Sequence, residues 1–372
     1  MVPRQIVMIL YEASFGGVER QAELLAEAAR AQGHSVTLIV LGEEGPALKR
    51  FEPHCDSIQV LRANIHNDLS LHRRLRQATL SGHDVAFIFS TAKLAVLSNA
   101  LRKSCPRQIL HVGNPVGLKW NEKWKQTIRA WIFPPSPGLN LVANSEHTLS
   151  SLQAHPFYRR FPLHVSPNCV RIPTEPATLR ERCEPLRIGM VARLDPIKDH
   201  ATLIRAVGLL HKQGVPIECE LMGRGPIEED LKQLAQAEGL LESGVMKFTG
   251  WSAEVDSALR RWDIFVFSTT AQEGFGNAAA EAMAFGLPCI LTEVGPCRSV
   301  GGQATKYVPP QDVESLAKSI ASLAQEYPER SRLAALARQR AVECFQPERK
   351  LTDFMRIAWQ QSESNEKSQR SH

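Results

Sequence analysis

Short apolar runs alternate with stretches of helical apolar spacing along nearly the whole chain. A run that suits a buried strand, followed by a stripe of 3.6-residue period, is the sequence sign of βαβ units and a parallel sheet. The first unit is plain. Gln5–Tyr11 predicts a strand, 14–17 a turn, Val18–Gln32 a helix stopped by Gly33, and Val36–Leu41 the next strand. Strands are predicted at 58–61, 85–89, 108–112, 140–144 and 163–166, with helices over 69–80, 92–103 and from 147. A second series starts at Leu186–Val191 and repeats the pattern through strands at 217–222, 245–248, 264–268 and 288–292. The expected fold class is α/β, with two Rossmann-like doubly wound domains facing a central cleft.

With 372 residues, the chain has room for two such domains. The Pro-rich segment 167–185 marks the junction. The expected division is 1–168 and 169–345. A last helix over 346–361 crosses back, and 362–372 is a polar, flexible tail. Open α/β sheets bind ligands in the crevice at the carboxyl ends of their strands. A pair of them suits an enzyme that joins two substrates.

Charge separates the halves. Residues 1–168 hold 19 Lys and Arg against 12 Asp and Glu, a net +7, whereas 169–372 hold 25 against 27. A basic first half points to an acidic ligand or an anionic surface. The overall +5 is too weak to argue for nucleic acid. None of the eight cysteines falls in a C-x-x-C pattern, so they read as buried hydrophobes in a reducing compartment. The N-terminal apolar run is too short for a signal peptide, and no apolar stretch reaches the length of a membrane span. The expected location is the cytoplasm.

Three motifs carry chemistry. The densest is Glu273–Pro288, EGFGNAAAEAMAFGLP, after a strand and opening a helix. Gly274 and Gly276 let a ligand approach the backbone, and the amides of Phe275, Gly276 and Asn277 sit at a helix N-terminus that suits a phosphate or sugar hydroxyls. Glu273 and Glu281 flank them and can face one crevice. The same glycines also satisfy the dinucleotide fingerprint, and a glutamate alone is usually a solvated helix residue. Next, Arg193 ends a strand and Lys198 follows five residues on, an arrangement that suits a diphosphate. Taken alone, they are two surface cations. Last, Gly16-Gly17 precedes the first long helix, which fits either a ligand contact or a tight turn.

Together these motifs, in this order, make the chain resemble the retaining glycosyltransferases of family 4, which have the GT-B fold. Glu273 and Glu281 match that family's E-x7-E pair, Arg193 and Lys198 its R-x4-K clamp, and Gly16 and Gly17 its N-terminal glycine loop. Pro167-Asn168-Cys169-Val170 is similar to its P-N-G-V element, with Cys169 where glycine is usual, and 222–226 resembles its G-x-G-P turn. The resemblance implies transfer of a sugar from a nucleotide-diphosphate sugar, UDP or GDP, to a hydroxyl acceptor with retained configuration. It implies no metal and no other cofactor. It assigns Arg193 and Lys198 to the leaving diphosphate, Glu281 to the ribose and Glu273 to the donor sugar. His111 matches the active-site histidine, and Ser252 would lie by the nucleobase. The expected setting is the synthesis of a cell-surface polysaccharide, lipopolysaccharide or glycolipid.

On the acceptor side, Trp120, Trp124, Ile128 and Trp131 recur at helical spacing between Lys119, Lys123, Lys125 and Arg129. Tryptophan with lysine suits an anionic membrane surface and a saccharide or lipid-linked acceptor. An ordinary core-facing aromatic stripe is the competing reading. A second basic–aromatic cluster spans 155–161. Three other functions fit parts of the pattern. They are a nucleotide-sugar epimerase or sugar phosphorylase of similar architecture, a dehydrogenase using the glycines after Glu273, and a non-catalytic homologue.

Overall fold

The computed structural model describes residues 2–369 except 80–81, 118–119 and 252–253; the side chains of 120–125 and 361–369 also lie outside the description. The chain divides into two compact units, Met1–Cys169 with Pro347–His372, and Val170–Gln346.

The first unit is built on seven strands: β1 Gln5–Leu10, β2 Ser35–Val40, β3 Ser57–Val60, β4 Val85–Ile88, β5 Gln108–Val112, β6 Leu139–Ala143 and β7 Leu163–Val165. They order as β3-β2-β1-β4-β5-β6-β7, all parallel. The helices are α1 Gly17–Ala31, α2 Asp68–Ala78, α3 Leu94–Leu101, α4 Trp120–Ile132 and α5 Glu146–Ala154. The five inner strands bury both faces, because each crossover lays a helix on one side or the other, while the edge strands β3 and β7 are only partly buried.

The second unit repeats the scheme with β8 Leu186–Val191, β9 Ile217–Met222, β10 Met246–Gly250, β11 Ile264–Phe267, β12 Cys289–Thr292 and β13 Lys306–Val308, ordered β10-β9-β8-β11-β12-β13. Its helices are α6 His200–Lys212, α7 Glu228–Ala237, α8 Val255–Arg261, α9 Asn277–Ala284, α10 Gly295–Gly301, α11 Val313–Gln325 and α12 Tyr327–Cys344. In each sheet the order reverses once, between β1 and β4 and between β8 and β11. These are the topological switch points at which such sheets bind ligands.

The last helix, α13 Pro347–Gln369, belongs to the first unit. Leu351, Phe354 and Ile357 are buried there with β1, β4 and α1, and Phe354 meets Phe87 edge-on at 5.2 Å. Each such side chain contributes about 2 kcal/mol of burial. The helix runs to Gln369, where the sequence predicts a flexible tail from 362; residues 370–372 lie outside the description.

Two elements escape the sequence pattern. α10 begins Gly-Pro and ends in glycine, so it reads as a turn, and β13 is a three-residue edge strand. The cluster at 155–161 is not an aromatic surface patch: Phe157 and Tyr158 are buried in the first unit's core, Phe161 is half-buried, and Pro156, Arg159 and Arg160 are exposed. In the second unit a fully buried Arg330 closes α11. Its guanidinium donates to the carbonyls of Leu323 and Ala324 near the helix end and to those of Arg180 and Glu181. Those four bonds satisfy carbonyls that a helix terminus and a loop would otherwise leave unpaired.

Candidate functional site

In the second unit the sequence-predicted residues gather at the switch point. Arg193 and Lys198 lie on the loop after β8, and Glu273–Gly276 on the loop after β11. The two loops are tied at one carbonyl: Thr270 N–H and the Thr269 hydroxyl both donate to the Ile197 carbonyl, at 2.9 and 3.0 Å. Across that seam Lys198 Nζ forms an ion pair with Glu273 Oε2. The ammonium also stands 5.1 Å from the centre of the Phe267 ring, where a cation is favoured.

Arg193 is 70% exposed, yet its Nε and one terminal nitrogen grip Asp195 Oδ2 at 2.7 and 2.6 Å. Asp195 is almost buried, and its other oxygen accepts from the Ile197 N–H at 3.0 Å, capping the short 3-10 turn Pro196–Lys198. The sequence reading missed Asp195. The signal was there: an Asp-Pro pair opening a turn is an N-cap followed by Pro at the first turn position. Both cations are therefore already paired with carboxylates. What remains open to a ligand is one terminal nitrogen of Arg193, the remaining N–H bonds of Lys198, and backbone amides.

The glycines supply those amides. Gly276 takes φ +96°, a region L side chains avoid, and caps α9 by accepting from the Ala279 and Ala280 N–H groups. A β-carbon there would stand 3.3 Å from Phe267. Gly274 N–H is turned onto Glu273 Oε1 at 3.0 Å. Among the described residues, the N–H groups of the buried Phe275 and Gly276 have no acceptor. Two unspent donors beside a helix start are the arrangement that suits an anion. Asn277 is the first residue of α9, and Glu281 is half-buried on its second turn. Ser252 lies outside the described residues.

The turn at 222–226 buttresses the loop after β8 from behind. Leu194 N–H donates to the Arg224 carbonyl and Ala192 N–H to that of Met222, both at 3.0 Å. A β-carbon on Gly223 or Gly225 would stand 1.9 or 2.0 Å from the carbonyl oxygens of Ala192 and Leu194. These glycines are needed because two backbones touch around Arg193.

In the first unit, Gly16 precedes α1 and Gly17 opens it; both are exposed. The Glu19 carboxylate folds back over Gly16 and accepts from the Ser14 hydroxyl at 3.2 Å, filling the space a β-carbon would need. His111 is the fourth residue of β5, 3% exposed. Its Nε2 is 2.9 Å from Asn168 Oδ1, so Nε2 carries the proton and Nδ1 is the acceptor. Nδ1 is buried with no partner among the described residues. Burial, helped by the nearby Lys350 ammonium, pushes the imidazole pKa down to about 3, so the ring stays neutral at physiological pH. Lys350, from α13, donates to the Ser166 and Pro167 carbonyls and so fixes the segment bearing Asn168. Next along, Cys169 is pinned by the Gln21 amide, which accepts from its N–H at 2.7 Å and donates to its carbonyl at 2.8 Å. His111 lines a cavity of about 660 Å3 at the carboxyl ends of β1, β4 and β5.

The tryptophan helix is α4. The side chains of Trp120, Lys123, Trp124 and Lys125 lie outside the described residues. Its described outer face is apolar: Ile128, Trp131 and Ile132 are exposed, Trp131 by 85%. The core-packing alternative fails for these positions. Among the described residues, no helix is long and apolar enough to cross a membrane, and no group of His, Cys, Asp and Glu is placed to hold a metal ion.

Comparison with known proteins bears on the whole arrangement. The family model Glycosyltransferase Family 4 matches residues 15–172, and the model Glycosyl transferases group 1 matches 185–326. The chain is 30% identical to a putative glycosyltransferase, EpsF, of Bacillus subtilis over 34% of its own length and 33% of that protein's. It is 40% identical to the amylovoran biosynthesis glycosyltransferase AmsK of Erwinia amylovora over 30% and 28%. The alignments thus span about a third of these relatives. The crystal structure of Anabaena HepE in complex with UDP and glucose superposes at a TM-score of 0.74, with 19% identity, over 98% of this chain and 99% of that one. The chain belongs to the family 4, group 1 glycosyltransferases, and its two Rossmann-like units are those of the GT-B fold.

Proposed function

We propose that the protein is a retaining, metal-independent glycosyltransferase. It moves a sugar from a nucleotide-diphosphate sugar to a hydroxyl of a saccharide or lipid-linked acceptor during cell-surface polysaccharide synthesis. The observation that carries this reading is the Lys198–Glu273 ion pair joining the two loops at the switch point of the second sheet. In the reaction the bond between the anomeric carbon and the diphosphate breaks, and negative charge grows on the departing phosphate oxygen. Arg193, Lys198 and the amides of Phe275, Gly276 and Asn277 stabilise that charge from fixed positions, which is electrostatic preorganisation. Asp195 and Glu273 hold the two cations in place. Glu273 also lies by the donor sugar, Glu281 holds the ribose, Ser252 lies by the base, and the glycine loop Gly16-Gly17 admits the donor closely. Neutral His111 offers Nδ1 to a sugar hydroxyl. The leaving phosphate takes the acceptor proton on the same face, so configuration is retained. The UDP bound to HepE favours a uridine donor over a guanosine one.

The test is an acceptor screen with UDP- and GDP-sugars in the presence of EDTA. The expected result is acceptor-dependent release of the nucleoside diphosphate, undiminished by the chelator, and a product whose anomeric configuration matches the donor's. Turnover without acceptor would indicate an epimerase instead, and loss of activity in EDTA would contradict metal independence.

The exposed Ile128, Trp131 and Ile132 support a second element of the proposal, docking of α4 on an anionic membrane surface with Trp120, Trp124, Lys123 and Lys125. In sedimentation with liposomes at low salt, the protein is expected to pellet with anionic but not with neutral vesicles. Trp131→Ala, which removes about 1–3 kcal/mol of interfacial burial, should release roughly tenfold or more of the bound protein. Equal recovery in the supernatant with both lipids rejects the docking.

A further inference from the structure

The cavity in the first unit has a charge pattern that the transfer chemistry leaves unused. Its wall includes two fully charged side chains among the described residues, Lys93 and Arg129, and both are positive; no Asp or Glu lines it. Both cations rest on a single carboxylate, Asp68, the first residue of α2. Lys93 Nζ pairs with Oδ1, and Arg129 Nε donates to Oδ2 at 2.9 Å. Burial pushes the Asp68 carboxyl up, but its bonds to Lys93 and Arg129 more than reverse this, so it stays ionised. Two positive charges on one negative leave the wall with a net +1. Both terminal nitrogens of the Arg129 guanidinium have no partner among the described residues. Lys93 is held at φ +62°, a strained value for a lysine, at the start of α3. His111, whose Nδ1 is buried and unpartnered among the described residues, lines the same cavity.

We propose that this cavity seats the acceptor saccharide by an acidic substituent, a carboxylate or a phosphate. The substituent is gripped by the free edge of Arg129 and by Lys93, while His111 accepts from a hydroxyl of the same saccharide. The planar guanidinium presents two parallel N–H groups, the geometry that an oxyanion takes in bidentate fashion. The hydroxyls of a neutral saccharide can accept from those donors but bring neither the opposite charge nor the bidentate pairing, so the site favours an acidic substituent. This deepens the transferase reading and rests on it.

The experiment uses the full chain and three probes in NMR saturation-transfer titrations: methyl β-D-glucuronide, glucose 6-phosphate and methyl β-D-glucoside. Binding of UDP is measured in parallel. One or both acidic probes are expected to bind at least about tenfold more tightly than the neutral glucoside. The two acidic arms tell a carboxylate site from a phosphate site. Arg129→Ala should bring the preference close to one, and Arg129→Lys, which keeps the charge but loses the fork, should retain part of it. Thermal midpoints of the variants within a few degrees of wild type exclude misfolding. Equal binding of acidic and neutral probes by wild type, or a preference that survives both Arg129→Ala and Lys93→Ala, overturns the inference. Failure of UDP to bind is a separate outcome and counts against the transferase reading itself.

Discussion

Lys198→Ala lowers kcat for sugar transfer by about a thousandfold, close to 4 kcal/mol of transition-state stabilisation. The assay uses whichever acceptor supports the fastest wild-type rate. The size follows from position. Lys198 bridges the loops after β8 and β11 through Glu273 and sits over Phe267 in a half-buried place where its charge is poorly screened. Removing it takes away a charge aimed at the leaving diphosphate and leaves the Glu273 carboxylate unpaired beside it. Both effects oppose growing negative charge. Lys198→Arg restores the charge with a different reach, so a loss of only about tenfold is expected. Steady-state release of nucleoside diphosphate measures both. A kcat for Lys198→Ala within threefold of wild type would remove the residue from the mechanism.

Gly223→Ala is expected to unseat the loop bearing Arg193. At φ +144° the residue lies where side chains are strained, and the new β-carbon would meet a backbone oxygen, Ala192 O, at 1.9 Å. No rotamer relieves a backbone clash. Strain and clash together cost about 3–5 kcal/mol. For a unit of this size, that is a fall of roughly 10 °C in thermal midpoint. Affinity for UDP should weaken more than tenfold, because Ala192–Leu194 must shift and Arg193 moves with it. Gly244→Ala separates the two causes: it also has positive φ, +70°, but nothing lies within 4 Å of its β-carbon. Its expected cost is about 1 kcal/mol, with UDP affinity unchanged. Similar losses in both variants would show that backbone strain, and not contact with the Arg193 loop, governs the effect.

Much of this was legible in the sequence because parallel strands buried on both faces announce themselves. β5, β8 and β9 fall on their apolar runs to the residue. The edge strand β13 and the Gly-Pro helix α10 did not, because neither has length or period enough to leave a pattern. At the candidate site, spacing found Arg193, Lys198, Glu273 and the glycines. Spacing could not tell that both cations are already paired, since Asp195 lies two residues from Arg193 and Glu273 is 75 residues from Lys198. The Lys93–Asp68–Arg129 group left no trace at all: three elements, separated by 25 and 61 residues from Asp68, meet only through the fold. The aromatic residues at 157 and 158 misled for the opposite reason. Flanking arginines make a surface motif of residues that plug the core.

The central claim is that the loops after β8 and β11 hold the diphosphate of a nucleotide sugar. Calorimetric titration of the full chain with UDP and with GDP tests it most directly. The account predicts that one of the two binds with a Kd of about 1–100 μM, and that Lys198→Ala weakens it by about thirtyfold or more, as loss of a charge-assisted contact should. Absence of binding by either nucleotide at millimolar concentration, or equal affinity in wild type and Lys198→Ala, would contradict it.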